Sequence, residues 1–343
     1  MGEDRGTNAL PVTIITGFLG SGKTTLLNRL LRHPDLADTA VIVNEFGAVG
    51  LDHLLMEPAI EDAVLLANGC ICCTVRGDIA DTLDLLWERR STGALPPFRR
   101  IAIETTGLAD PAPVAHALLA GPENRFACRL DGIIATVDAL HAPGTLARER
   151  EARAQVAAAD LVLLTKTDLA TPDEIAAAEA AVAAVNPLAP LRHAVAGAVD
   201  PASVFGLSQG AAWLDAAPPR GHGHLNFRHG EAIAATVLRR DTPVAWDRVR
   251  LWLDSLLSLQ GERVLRVKGL VRVEGVAHPV VLHAVHHVPH PPVLLERADA
   301  PAGTRIVVPR GARIVVPQGT RIVVIARGLS EAGLRASFAQ AMG

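Results

Sequence analysis

Residues Gly17 to Thr25 read G-F-L-G-S-G-K-T-T and fit the pattern G-x-x-x-x-G-K-[ST]. Glycines at this spacing let the backbone curl until successive N–H groups point at phosphate oxygens, and a helix beginning directly afterwards adds the positive end of its dipole. Gly17, Gly20, Ser21 and Gly22 would shape the cradle, Lys23 would reach the β- and γ-phosphates of a nucleotide, Thr24 would ligate magnesium and Thr25 would meet the α-phosphate. The chain has three lysines among its 33 basic residues, and Lys23 and Lys166 both sit in nucleotide-type motifs, where a compact ammonium differs from a planar guanidinium.

Two further apolar runs end in acids. Leu161–Asp168 closes in T-K-x-D, where the Asp168 carboxylate can accept two hydrogen bonds from guanine, from its ring N–H and its exocyclic amine. Adenine would leave that carboxylate unpaired, so the base expected is guanine and the nucleotide GTP. The Lys166 stem would lie along the base plane, and Thr165 stands where the usual guanine motif has Asn. Ile101–Gly107 reads I-A-I-E-T-T-G; Glu104 would hold magnesium directly or through water, and Gly107 could present its N–H to the γ-phosphate. Neither an arginine finger nor a water-orienting residue can be assigned.

Three of the four cysteines, Cys70, Cys72 and Cys73, fall within four residues, between the phosphate loop and Glu104. A secreted framework would spread its cysteines to close loops, whereas thiolates this close suit zinc or another soft ion. Adjacent Cys72 and Cys73 cannot easily share one ion, so the pair expected is Cys70 with either of them. A redox pair or buried thiols are the alternatives, and Cys128 reads as a small buried hydrophobe. His222, His224 and His229 could collect metal or belong to a solvated linker; His283, His286, His287 and His290 lie in a strand-like run.

The elements that must position these groups alternate. Short apolar runs at 12–15, 41–43, 100–103, 132–137 and 161–164 read as strands, with helical patterns after the phosphate loop (25–31) and over 78–90 and 171–185. In the last of these Thr171 is the N-cap, Pro172 takes the first helical position and Glu174 completes a capping box. This predicts an α/β phosphate-loop domain over 1–205, with a mainly parallel sheet covered by helices. Gly, Pro and His punctuate a linker over 206–230. Beyond it, strands at 232–238, 264–273, 279–288 and 321–326, a helix over 243–259 and another from Ser330 predict a smaller α+β domain over 231–343. An eight-residue repeat with proline occupies 303–324 and reads as a hairpin duplication or a disordered loop.

Composition sets the class. Of 343 residues, 49% are apolar and 20% charged, which is globular usage, and the net charge is only −3. That balance offers no footprint for nucleic acid or for an anionic membrane, and 3% aromatics cannot build a base-stacking platform. No apolar stretch is long enough to cross a bilayer, and Met1–Arg5 lacks the basic start of a signal peptide, so a soluble cytoplasmic protein is expected.

Taken together, GFLGSGKTTLLN at 17–28, VNEFG at 43–47, NGCICC at 68–73, ETTGLADP at 104–111, TKTD at 165–168 and RVKGLV at 266–271 resemble the CobW-type GTPases, a metallochaperone family related to the urease and hydrogenase nickel-insertion GTPases. The resemblance implies GTP hydrolysis, zinc or cobalt held at the C-x-C-C motif, delivery to a client metalloprotein, and a C-terminal domain for client contact or self-association into a homo-oligomer. Two features depart from the family pattern: Ala48 stands where an acid often follows F-G, and the histidine-rich loop is reduced to scattered histidines. A phosphate-loop small-molecule kinase would explain the loop but not T-K-x-D or the cysteines. A nucleotide-dependent binding module with structural zinc is the third reading.

Overall fold

A computed structural model describes residues 9–44, 64–65, 71–75, 79–119, 128–207, 233–294, 305–307, 313–315 and 319–343. Residues 45–48, Cys70, the side chains of Cys72 and Cys73, and the histidines at 222, 224 and 229 lie outside that description. The described residues belong to two compact units.

In chain order the first half of the sequence forms β1 (Leu10–Gly17), α1 (Lys23–Leu30), β2 (Thr39–Asn44), β3 (Val64–Leu65), β4 (Ile71–Val75), α2 (Ile79–Ser91), β5 (Arg100–Glu104), α3 (Ala112–Leu119), β6 (Cys128–Asp138), α4 (Ala142–Arg148), α5 (Arg150–Ala158), β7 (Leu161–Thr165), α6 (Pro172–Val185), β8 (Leu191–Ala194) and α7 (Pro201–Val204). The eight strands make one sheet in the order β3-β4-β2-β5-β1-β6-β7-β8, parallel throughout except for β3 against β4. Parallel neighbours need crossovers, and helices that cover both faces leave the strands almost continuously apolar. Every residue of β7 is accordingly buried. Along α1 the buried face is Leu26, Leu27 and Leu30, which meet Ile15, Val41, Ala102 and Ile134 in one core. The capping box at α6 forms as its sequence requires: the Thr171 backbone N–H donates to Glu174 Oε2 (2.8 Å), and the Glu174 N–H donates to Thr171 Oγ1 (3.3 Å).

The remaining elements are β9 (Ile233–Arg240), α8 (Trp246–Gln260), β10 (Val264–Val271), β11 (Val280–Val285), β12 (Val288–Pro289), β13 (Val293–Leu294), β14 (Arg305–Val307), β15 (Arg313–Val315), β16 (Thr320–Arg327) and α9 (Glu331–Met342). An antiparallel sheet runs β12-β11-β10-β16-β9, with β13 also paired to β11. The face predicted for α8, namely Val249, Trp252, Leu253, Leu256 and Leu257, is the one it buries, together with Leu334 and Phe338 of α9. Trp252 and Phe338 meet edge to face, with ring centroids 5.1 Å apart, and Trp252 Nε1 donates to Ser337 Oγ (3.3 Å). This second unit also takes in Pro143–Ala158 and Glu179–Pro190.

Some boundaries differ from the sequence reading. The run at 279–288 is two strands, because the chain turns at His286 with φ 50°. Helix α8 starts at Trp246, since Val244 is held extended in a bridge to Val273. The first two copies of the repeat pair as β14–β15, Ile306 opposite Ile314, the hairpin that was one of the two forms expected, and the third copy, which has Ile325 where the others have proline, is the strand expected over 321–326, paired between β10 and β9.

Cys128 opens β6 as a buried residue, and burial pushes its thiol from 9.0 up to about 11, with the Arg90 guanidinium opposing weakly. The unfolded chain therefore ionises this thiol at a lower pH than the fold does. Its contribution is complete below pH 9 and is lost as the pH rises through about 11, a difference of about 3 kcal/mol. Cys128→Ala should remove that part of the alkaline loss, measured as the difference in denaturant stability between about pH 8 and about pH 10.5; an unchanged difference would contradict it.

Candidate functional site

The sequence-predicted residues of the phosphate loop, the Glu104 strand and the T-K-x-D strand converge at the carboxyl ends of β1, β5 and β7, where open parallel sheets present their ligand sites. Gly22 caps α1 with φ 93°, a left-handed conformation that a side chain would strain, and this turns the loop into the helix. Gly107 lies flush against the loop: a Cβ there would stand 2.6 Å from Leu19 Cδ2 and 2.9 Å from the Leu19 backbone nitrogen. Only glycine lets the segment after β5 come this close.

The charged groups are poised inside the loop. Lys23 Nζ donates to the carbonyls of Gly17 (2.7 Å) and Phe18 (3.1 Å). Burial lowers the pKa of this ammonium from its ordinary 10.5, and the Glu104 carboxylate pulls the other way. Thr24 Oγ1 donates to Glu104 Oε1 (3.2 Å). This hydroxyl and carboxylate are hard oxygens side by side, a donor pair that fits magnesium, which favours oxygen ligands and keeps several waters.

A chain of hydroxyls not foreseen from sequence fixes the loop from behind. Ser21 Oγ and Thr136 Oγ1 share a hydrogen bond (2.7 Å), and Thr136 Oγ1 donates to the Thr16 carbonyl (3.3 Å). Thr105 Oγ1 donates to Thr16 Oγ1 (2.9 Å), and Thr165 Oγ1 donates to the Ser21 carbonyl (2.7 Å) with the Val137 carbonyl at 3.1 Å. Thr165, standing in the place of Asn, thus ties the base-side strand to the phosphate loop. Lys166 takes φ 57°, and its Nζ pairs with Asp138 Oδ2 (2.6 Å), while Asp138 Oδ1 accepts from the Leu140 N–H (2.9 Å). Asp168 is exposed beside them. Asp138 was legible in principle, as one more acid ending an apolar strand at this edge of the sheet.

The cysteine motif is described only in its backbone beyond Cys70. Cys72 and Cys73 lie on β4, in register with Val41 and Ile42 of β2, and Val43 of β2 faces both Thr74 of β4 and Glu104 of β5. In the second unit the rings of His283 and His290 are 6.0 Å apart, and among the described residues no group of three or more His, Cys, Asp or Glu side chains is arranged to hold a metal ion.

Thr165→Val keeps the shape of the side chain and removes the tie, leaving the buried Ser21 carbonyl without its donor. A cost of about 1–3 kcal/mol is expected at such a group. Nucleotide affinity should fall about tenfold with the fold retained, read by isothermal titration beside a thermal melt; unchanged affinity would show that the loop needs no such tie.

Comparison with known proteins gives a consistent picture. The family described as CobW/HypB/UreG, nucleotide-binding domain, matches residues 11–192, and the cobalamin synthesis protein cobW C-terminal domain matches residues 233–342. The zinc chaperone YjiA of Escherichia coli is 33% identical over 81% of this chain and 86% of its own length. The zinc chaperone CobW of Pseudomonas aeruginosa is 34% identical over 78% of each. Among solved structures, that of the Zn(II)-bound YjiA GTPase from E. coli superposes with a TM-score of 0.74 at 29% identity, covering 98% of this chain and all of that one.

Proposed function

This chain belongs to the CobW/HypB/UreG family, and from that premise we propose that it is a GTP-hydrolysing metallochaperone that carries zinc and hands it to a client metalloprotein. The observation that carries the enzymatic half is the convergence of Lys23, Thr24 and Glu104 on one glycine cradle. Among the described residues no helix is long and apolar enough to cross a membrane.

Each group has a role. The N–H groups of Gly17 to Gly22 surround the β-phosphate, and Lys23 leaves the Gly17 and Phe18 carbonyls to lie between the β- and γ-phosphates. Its ammonium is already stripped of most water, so phosphate oxygens replace weak carbonyl partners at little desolvation cost. Thr24 and Glu104 hold magnesium, whose charge stabilises the transferred phosphoryl group. Thr25 meets the α-phosphate, and the Gly107 N–H lies close enough to the loop to sense the γ-phosphate. Asp168 accepts from guanine and Lys166, held in its left-handed turn by Asp138, covers the base. The phosphate-loop domain spans 1–205, the linker 206–230 and the client-facing or self-associating domain 231–343.

Zinc is the cargo, held by Cys70 together with Cys72 or Cys73, and cobalt is a second ion those sulfurs accept. The register between β4 and β5 supports a link between the cysteine strand and the nucleotide, because Thr74 and Glu104 flank the same residue of β2. The GTP state and the GDP state then differ in zinc affinity, and hydrolysis permits transfer.

Zinc affinity measured by competitive chelation should differ at least about fivefold between GDP and a non-hydrolysable GTP analogue, and Cys70→Ser should lose zinc while keeping GTP. Equal zinc affinity in both nucleotide states would remove the coupling. In the same preparation Glu104→Gln should slow hydrolysis by about 10–100-fold, as loss of an ion-orienting group does; wild-type turnover in that variant would remove Glu104 from the site.

A further inference from the structure

A groove of about 830 Å³ opens on the flank of α1, outside the phosphate cradle. It is lined by Thr25, Asn28 and Arg29 of α1, by Arg32 in the turn just past the end of that helix, and by the loop between β8 and α7, with Ala198 and Asp200. The loop is pressed against the helix at Gly197, where a Cβ would stand 2.9 Å from the Thr25 carbonyl. Of the cradle residues only Thr25 borders this groove, so it begins where the α-phosphate is assigned and leads away from the β- and γ-phosphates.

Its charge is uneven. The side chains of Arg29 and Arg32 are exposed and make no hydrogen bond or ion pair among the described residues. The acids nearby are engaged: Asp35 lies 3.7 Å from His33 Nδ1, and Asp200 Oδ1 caps α7 by accepting from the Ala202 N–H (2.9 Å). With a helical rise of about 1.5 Å per residue, Arg29 lies about 6 Å beyond Thr25 along α1, and Arg32 follows in the turn after the helix. After the α-phosphate the next group of a nucleotide is its ribose. A hydroxyl there offers these guanidinium groups no charge, whereas phosphates on the ribose would.

We propose that this groove is a second phosphate site for guanine nucleotides phosphorylated on the ribose, of the type of guanosine 5′-diphosphate 3′-diphosphate. The 5′-phosphates occupy the cradle, and the ribose phosphates meet Arg29 and Arg32, whose planar donors suit bidentate contacts with phosphate oxygens. Such a nucleotide excludes GTP and holds the protein in a state that cannot hydrolyse. The inference rests on the guanine-nucleotide reading of the cradle.

Displacement of a fluorescent GDP analogue gives the affinities of GDP and of guanosine 5′-diphosphate 3′-diphosphate for the full chain. In the wild type the tetraphosphate should bind at least about tenfold more tightly, with a preference that shrinks as salt screens the arginines. The double variant Arg29→Gln, Arg32→Gln should lose that preference while its GDP affinity stays within about twofold, since neither side chain reaches the cradle. Equal wild-type affinities, or a preference that survives in the double variant, would overturn the proposal and leave the cradle assignment standing. A wild type that binds no GDP at all would remove both.

Discussion

A phosphate loop must stay open when no phosphate fills it, although its carbonyls and N–H groups would rather satisfy one another. In this chain the loop is held by hydroxyls from neighbouring strands. Thr136 on β6 bonds the Ser21 side chain, Thr165 at the end of β7 bonds the Ser21 carbonyl, and Thr105 beyond β5 bonds Thr16 on β1. These bonds are buried, where each is electrostatically stronger than in water and where losing one partner strands the other. The cradle is therefore a product of the sheet's order: β1 lies between β5 and β6, and β7 follows, so the strands that carry the threonines are the ones that flank the loop. A different strand order with the same motif would leave Ser21 unsupported.

Lys23 shows what that rigidity allows. An ammonium buried against Gly17 and Phe18 is disfavoured relative to one in water, and its lowered pKa records the fact. The fold tolerates it because the surrounding loop cannot collapse onto an alternative. Binding energy from a nucleotide then goes into contacts, with little left to spend on shaping the site, the general benefit of preorganisation.

The parts of this arrangement legible in the sequence were those whose residue types have few other uses. G-x-x-x-x-G-K-T after a β-like run, Glu104 closing the apolar run at 101–103, and Thr171 with Glu174 at a helix start all admit a narrow set of structures, and they fold accordingly. The α8 stripe was legible because five apolar residues at helical spacing fit one face only. The threonine network was not, because threonine in a strand is first of all a good β-former and its hydroxyl partner lies about 90–140 residues away in sequence. The break at His286 was hidden too, since a positive φ at a histidine leaves no mark in the pattern of apolar residues. Helices α4 and α5 are short and rich in arginine and alanine; Arg153 is buried in α5, donating to the carbonyls of Leu146 and Ala147, which an exposed-charge reading would not suggest.

The sheet also limits how nucleotide and cysteine strand can communicate. Five register pairs join β2 to β4 and five join β2 to β5, so these three strands move together. At about 4.8 Å between neighbours, the Cα of Thr74 is about 10 Å from that of Glu104. At about 12 Å and an effective dielectric constant of about 20, one unit of phosphate charge would change the electrostatic energy of a unit charge at the proposed cysteine site by about 1.4 kcal/mol, or roughly tenfold in affinity. A field effect through the sheet is thus of the size of the coupling proposed. A larger coupling would need ligands that change position between nucleotide states. The reciprocal consequence follows from linkage alone: whatever factor the γ-phosphate imposes on zinc affinity, zinc imposes on the affinity for GTP.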